Sequence, residues 1–174
     1  MLGLPTLPLC QRGATAAVGR HWPAQQAALS DARAAGRQAH CGAMQAFFKP
    51  YLAALLIMGA LDALWLGWLA RDFYRQEMGA QMADPIRWAP ALAFYLAYPA
   101  ALVALALFPA GQPLSQQIAR AALVGLVAYG VYDLTNLSTL RHWPLKLALV
   151  DTLWGCFAST VSGGVAAWVA ERWR

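Results

Sequence analysis

The sequence predicts an all-α integral membrane protein, a bundle of four spanning helices that follows a disordered N-terminal arm. Composition is the first reason: of 174 residues, 60% are hydrophobic and only 12% are charged, whereas about a quarter of the residues are charged in typical soluble domains. Patterning is the second, because the apolar residues after Lys49 fall into four long stretches. These features exclude a disordered chain and disfavour a soluble domain.

Each apolar stretch is long enough to cross a membrane, since roughly 20 residues rising 1.5 Å each cover ~30 Å of hydrocarbon. Lipid offers the backbone no hydrogen-bond partner, so each stretch must be helical. Pro50 and Pro90 suit first helical turns, and Pro109 ends the second helix. The four predicted spans cover residues 51–70, 88–108, 119–140 and 145–169.

Residues 1–43 differ from the rest of the chain and are predicted to be a disordered or spurious extension, with Met44 as the natural start of a transmembrane domain over residues 44–174. Most of the net charge of +5 lies in residues 1–49, which hold five basic residues, Arg12, Arg20 and Arg37 among them, and one acidic residue. The charge therefore marks the arm and no nucleic-acid-binding face. Three cysteines without CxxC spacing argue against a zinc or thiol-redox centre.

Three acidic side chains lie within the predicted spans, where an ionisable group costs roughly 2.5–3.5 kcal/mol to insert near the centre. They are Asp62, Asp133 and Asp151. Counting back at 1.5 Å per residue to the helix ends at the first and third loops places each about 9–12 Å below that surface. Tyr95 of the second helix falls at the same depth, with Tyr98 one turn deeper. We therefore expect every helix to contribute a polar group to one layer inside the bundle.

Further candidates for this layer follow from helical spacing. On the third helix, Tyr129, Tyr132 and Asn136 share overlapping faces with Asp133. Trp65 and Trp154 each follow an aspartate by three residues in the pattern Asp-x-Leu-Trp. We expect these two tryptophans to line the same face as the acids.

Small residues beside the first acid predict how the helices pack. Gly59, Ala63 and Gly67 form a stripe on the first helix, and such stripes allow two backbones to approach closely in a membrane. The polar layer is thus expected to point into the bundle, and the stripes also offer a surface for a homodimer.

The acids have no basic partner within the core of any span. Basic residues of the first and third loops are expected to cluster above the layer and to reach toward it along their apolar stems. They are Arg71, Arg75, Arg141 and His142. The layer then resembles a vestibule open toward these loops.

Several runs of the sequence are similar to a known family. They are Phe48 to Leu52, Leu61 to Gly67, Tyr132 to Leu140, Trp143-Pro144 and Asp151 to Gly155. Together they resemble a bacterial family of predicted membrane proteins, domain of unknown function 2177, over residues 44–174. The resemblance implies a multi-pass protein of the bacterial inner membrane with four helices, and it implies no established reaction or cofactor.

Three classes of function remain open on the sequence alone. The leading hypothesis is that the polar layer binds or moves a small amphiphile, a proton or a cation. A second is a membrane enzyme acting on a lipid or isoprenoid, with Asp62 and Asp151 as general acid and base. A third is an assembly subunit of a membrane complex. The polar residues of the layer could also have a purely structural role, because hydrogen bonds between membrane helices contribute ~0.6 kcal/mol each to stability.

Overall fold

The computed structural model describes residues 23–83 and 85–172. Within these residues the chain is helical and forms no strand. Four helices are long and apolar enough to cross a membrane, over Ala46–Leu69, Trp88–Leu107, Leu114–Thr139 and Leu145–Arg172. The predicted all-α fold with four spans is confirmed.

In chain order, the elements are α1 (Pro23–Leu64), a π-helical turn (Trp65–Leu69), α2 (Arg71–Met78), a 3₁₀ turn (Gly79–Gln81), α3 (Trp88–Leu107), α4 (Leu114–Thr139) and α5 (Leu145–Arg172).

The chain divides into two compact units, residues 1–45 and 46–174. In the first unit, the expectation of a disordered arm falls outside the described residues up to residue 22. From Pro23 onward the backbone is helical, and the expectation that residues 1–43 are a disordered or spurious extension stays a prediction. Alanine recurs throughout residues 23–43 and has the highest helix propensity of all residues, so local preference favours a helix here.

The ends of the spans also differ from those predicted by apolar length. Pro50 lies inside α1 and is buried, because the helix continues upstream of it. α4 begins at Leu114, five positions earlier than predicted, and the backbone N–H groups of Gln116 and Gln117 donate to the carbonyl of Pro113. Polar residues form this first turn, so a count of apolar residues alone leaves it out.

The backbones of α4 and α5 make the closest helix contact in the second unit. Small residues allow it: a Cβ on Gly125 would meet the backbone of Gly155 and the side chain of Ser159, and a Cβ on Gly163 would meet Ala121. Packing through small residues is the usual way in which membrane helices associate. The α4–α5 pair is therefore closely packed, and α3 packs against both helices.

The small-residue stripe of α1 does not make the contact predicted for it. A Cβ added to Gly59 or Gly67 would meet nothing within 4 Å, and Ala63 is exposed. Instead α1 buries Ala54, Met58 and Asp62, which recur at intervals of four and lie on an adjacent face. Within one chain, the predicted packing through Gly59, Ala63 and Gly67 is therefore wrong.

Candidate functional site

Asp62 of α1 is held by a tryptophan of α5. Its side chain is 3% exposed, and Trp154 Nε1 donates a hydrogen bond of 2.9 Å to its Oδ1. Tyr95 of α3 also interacts with this carboxyl group. The Trp154 ring stacks on Trp65, with ring centroids 4.3 Å apart and planes at 6°. Residues of the first, second and fourth spans thus meet around one carboxyl group.

Asp151 of α5 is contacted by a residue from outside the candidate spans. The hydroxyl of Tyr74, in α2, donates to Asp151 Oδ1, and Trp65 Nε1 donates to the Tyr74 oxygen over 3.4 Å. The two stacked tryptophans are therefore linked to two aspartates by hydrogen bonds. Trp154 donates directly to Asp62, and Trp65 donates to Tyr74, which in turn donates to Asp151. Asp62 and Asp151 are also close enough to interact electrostatically.

Asp133 of α4 lies in different surroundings. Trp143 Nε1 donates to its Oδ1 and Thr152 Oγ1 to its Oδ2, each over 3.2 Å. The side chain is 1% exposed and borders an apolar groove of about 500 Å³ between α4 and α5, lined by leucines such as Leu134 and Leu149. Asp133 and Asp151 interact electrostatically, but they line different pockets.

A second pocket lies between α3, α4 and α5. It has a volume of about 290 Å³ and is lined by Phe94, Tyr98, Ala128, Tyr129, Tyr132 and Asp151; we call it the aromatic cavity. Phe94 and Tyr132 at its mouth are 39% and 53% exposed, whereas Tyr98, Tyr129 and Asp151 are only partly exposed and form its floor. All of these residues belong to helices that are long and apolar enough to span a membrane, so we expect the mouth to face the lipid.

The residues predicted from the sequence fall into separate groups in the structure. Tyr129, Tyr132 and Asp151 line the aromatic cavity, with Tyr98 beside them. Asp62 and Tyr95 belong to the neighbouring cluster with Trp154, and the two tryptophans pair with each other rather than lining the cavity. Asn136 interacts with Tyr132, and its Nδ2 is buried without a partner in the part of the chain that the structure describes. The functional roles of these residues stay predictions.

The basic loop residues do not reach the aspartates. Arg71, Arg75, Arg141 and His142 are exposed, and within residues 23–83 and 85–172 no ion pair joins them to Asp62, Asp133 or Asp151. The reason lies in the amphipathic pattern of α2, which turns Phe73, Tyr74, Glu77 and Met78 toward the protein and its arginines outward.

Helix α2 is attached to the start of α5 by an ion pair and a hydrogen bond. Lys146 Nζ lies 3.4 Å from Glu77 Oε1 and 5.0 Å from the centroid of the Phe73 ring. Gln81 Nε2 donates to the backbone carbonyl of His142 over 3.2 Å. These contacts hold Tyr74 above Asp151.

Tyr74 and Phe94 are the residues that sequence reasoning missed. Tyr74 lies in a loop between spans, and Phe94 is one more apolar residue of an apolar helix. The one available signal for Tyr74 is the three- and four-residue spacing of Phe73, Glu77 and Met78 around it, which indicates a short amphipathic helix.

Replacing Tyr74 with phenylalanine is expected to loosen α2. Burial and the hydrogen bond to Asp151 raise the pKa of the Tyr74 hydroxyl above its ordinary value, which is about 10. The protonated hydroxyl thus keeps its contact below the ordinary pKa and loses it only as the pH rises through the raised value. Tyr74→Phe removes the hydrogen bond to Asp151 and the acceptor of Trp65, and each such bond is worth about 0.5–1.5 kcal/mol.

Backbone hydrogen exchange in α2 measures this effect. We expect exchange at residues 74–78 to be about tenfold faster or more in Tyr74→Phe, since each 1.4 kcal/mol is a factor of ten. The control is Tyr51→Phe, which removes an exposed hydrogen bond to the carbonyl of Leu96. Unchanged exchange in the Tyr74 variant would contradict the attachment described here.

Four spanning helices with polar side chains bonded to one another between them define a multi-pass integral membrane protein. The chain belongs to DUF2177, a family described as predicted membrane proteins, whose family model matches residues 47–168. No curated protein and no solved structure matches the chain significantly.

Proposed function

We propose that the protein binds the polar head of a small amphiphile in the aromatic cavity, while the apolar chain of that molecule stays in the lipid. One observation carries the proposal: a pocket of about 290 Å³ joins a carboxyl group to a mouth that lies within the spanning segments. We place this activity in the bacterial inner membrane, as the family resemblance implies.

The size of the cavity supports a head group rather than a whole lipid. Cavities that enclose drug-sized molecules are about 300–1,000 Å³, and 290 Å³ corresponds to roughly ten water molecules at about 30 Å³ each. A head group of this size fills the floor, and the rest of the molecule passes between Phe94, Ala128 and Tyr132. The exposed leucines and valines of the α4 surface then offer the chain an apolar surface.

Some polar atoms at the floor of the cavity make no hydrogen bond within the described residues. Tyr74 occupies one oxygen of Asp151, and Tyr98 is paired with Ser159 over 2.7 Å. By contrast, neither Asp151 Oδ2 nor the Tyr129 hydroxyl has a hydrogen-bond partner among the described residues. Polar groups left open in a membrane-embedded pocket indicate a ligand that carries a polar or charged head.

The enzyme hypothesis draws less support from the same contacts. Asp62 and Asp151 are the proposed acid and base, but Asp62 is bonded to Trp154 and does not line the cavity. Within residues 23–83 and 85–172, no three His, Cys, Asp or Glu side chains gather closely enough to hold a metal ion.

Blocking the mouth of the cavity tests the proposal. The variant Ala128→Phe is expected to lose a co-purifying amphiphile that native mass spectrometry detects on the parent protein in gentle detergent. The matched control is Ala101→Phe, an exposed alanine of α3 outside the cavity. Retention should fall about tenfold or more in Ala128→Phe, equivalent to 1.4 kcal/mol, and stay at the parent level in the control. Equal retention in all three proteins would refute the proposal.

A further inference from the structure

We infer that the head group bound in the aromatic cavity is a poorly hydrated organic cation, such as a quaternary ammonium group. This inference rests on the proposed binding function and names the chemistry of its ligand. It follows from the composition of the wall: Phe94, Tyr98, Tyr129 and Tyr132 contribute four aromatic rings, and Asp151 contributes the one acidic group.

The rings are arranged as adjoining walls. Phe94 and Tyr98 stack with centroids 5.3 Å apart and planes at 20°, and both rings line the cavity. Tyr98 and Tyr129 meet nearly at right angles, with centroids 6.0 Å apart and planes at 83°. The face of an aromatic ring is negative, and a cavity with a largely aromatic wall favours a quaternary ammonium group, which cannot donate hydrogen bonds.

The acidic residues around the cavity also favour a cationic ligand. Asp62 and Asp133 both interact electrostatically with Asp151, so the acids reinforce one another. No ion pair joins Asp151 to a basic side chain in the described part of the chain. A cation in the cavity would compensate a carboxylate that is costly to keep unpaired in a membrane, whereas an anion would be repelled.

An inorganic cation fits less well than an organic one. Hard divalent ions take six or more oxygen ligands, but the cavity offers one carboxyl group and a few hydroxyls among its rings. A monovalent inorganic ion would lose its hydration shell to a wall that is mostly carbon. A quaternary ammonium head loses less hydration, and its chain leaves through the lipid-facing mouth.

Binding of three probes with the same chain tests the inference in protein reconstituted into lipid nanodiscs. Dodecyltrimethylammonium, dodecanol and dodecyl sulfate differ only in the head, and calorimetry on the parent and on Ala128→Phe separates cavity binding from partition into lipid. We expect dodecyltrimethylammonium to bind the cavity about tenfold more tightly than dodecanol or better, equivalent to 1.4 kcal/mol, and dodecyl sulfate to show no cavity binding.

Two variants test the groups that recognise the cation. Asp151→Asn keeps an acceptor for Tyr74 and should weaken dodecyltrimethylammonium binding about tenfold, and Tyr132→Leu removes an exposed ring and should weaken it about fivefold. Asp72→Asn, at an exposed position of α2, and Phe48→Leu, at an exposed position of α1, are the controls and should bind as the parent does. Because Tyr132 is half exposed, its variant keeps the test valid if Asp151→Asn does not fold.

The outcomes separate the two proposals. If dodecanol binds the parent but not Ala128→Phe, and does so as tightly as the cation, the cavity takes amphiphiles without regard to charge and the inference of a cation is wrong. If no probe distinguishes the parent from Ala128→Phe, the proposed binding function is wrong as well.

Discussion

Replacing Gly155 with alanine is expected to destabilise the protein, because the added Cβ would overlap the ring of Tyr129. Forcing an extra carbon into a closely packed contact costs typically 1–3 kcal/mol. The overlap with the Tyr129 ring places the cost near the upper end of that range, so after the gain of up to about 1 kcal/mol from the higher helix propensity of alanine, a net loss of about 2 kcal/mol remains. At about 2–4 °C per kcal/mol for a chain of this size, we expect the apparent melting temperature to fall by several degrees.

The α1 stripe provides the matched control. Gly59→Ala is the same chemical change in another spanning helix, at a position where a Cβ would meet nothing within 4 Å. Its melting temperature, followed by tryptophan fluorescence in the same detergent, should equal or exceed that of the parent. A fall of the same size in both variants would show that glycine matters here for the helix in general and not for the α4–α5 contact.

Truncating Trp154 is expected to have the largest effect on stability within the site. Trp154→Leu removes both the stack on Trp65 and the hydrogen bond to Asp62. Truncation of a buried aromatic side chain to alanine costs about 3–5 kcal/mol, so we expect the leucine variant to lose up to that amount, and Asp62 loses its Trp154 donor. Trp154→Phe keeps a ring against Trp65, so it should lose only the hydrogen bond, about 1–3 kcal/mol.

Unfolding by sodium dodecyl sulfate, followed by circular dichroism, measures these losses. Trp168→Leu is the control, since Trp168 is 54% exposed and a surface substitution changes stability by about 0.5 kcal/mol or less. A double-mutant cycle of Trp154→Phe with Asp62→Leu isolates the hydrogen bond. A coupling energy near zero would mean that the bond between Trp154 and Asp62 does not stabilise the fold.

The spans could be predicted from the sequence because a single length, the thickness of the hydrocarbon, governs them. The same counting placed Asp62, Asp133 and Asp151 at similar depths. The depth of a residue, however, does not determine the side of the helix on which its side chain points. Asp151 lines the aromatic cavity, whereas its neighbour Thr152 bonds Asp133 on the side of the lipid-facing groove, because successive residues point about 100° apart on a helix.

Contacts between a loop and a span could not be predicted in the same way. Tyr74 and Asp151 are 77 positions apart, and no periodicity links a residue of a polar connection to one inside the membrane. The loop arginines were expected to approach the acids on grounds of charge alone. Arg71 and Arg75 remain at the surface, since the apolar face of α2 decides which of its side chains turn inward.

The attachment of α2 through Lys146 makes one end of the molecule sensitive to ionic strength. Lys146 is 70% exposed where it meets Glu77, and dissolved ions screen such pairs over a distance of about 8 Å at physiological salt and about 3 Å at 1 M. The bonds between tryptophan and aspartate inside the bilayer lie beyond the reach of those ions. Concentrated salt should therefore weaken the hold on α2 without affecting the membrane-embedded network beneath it.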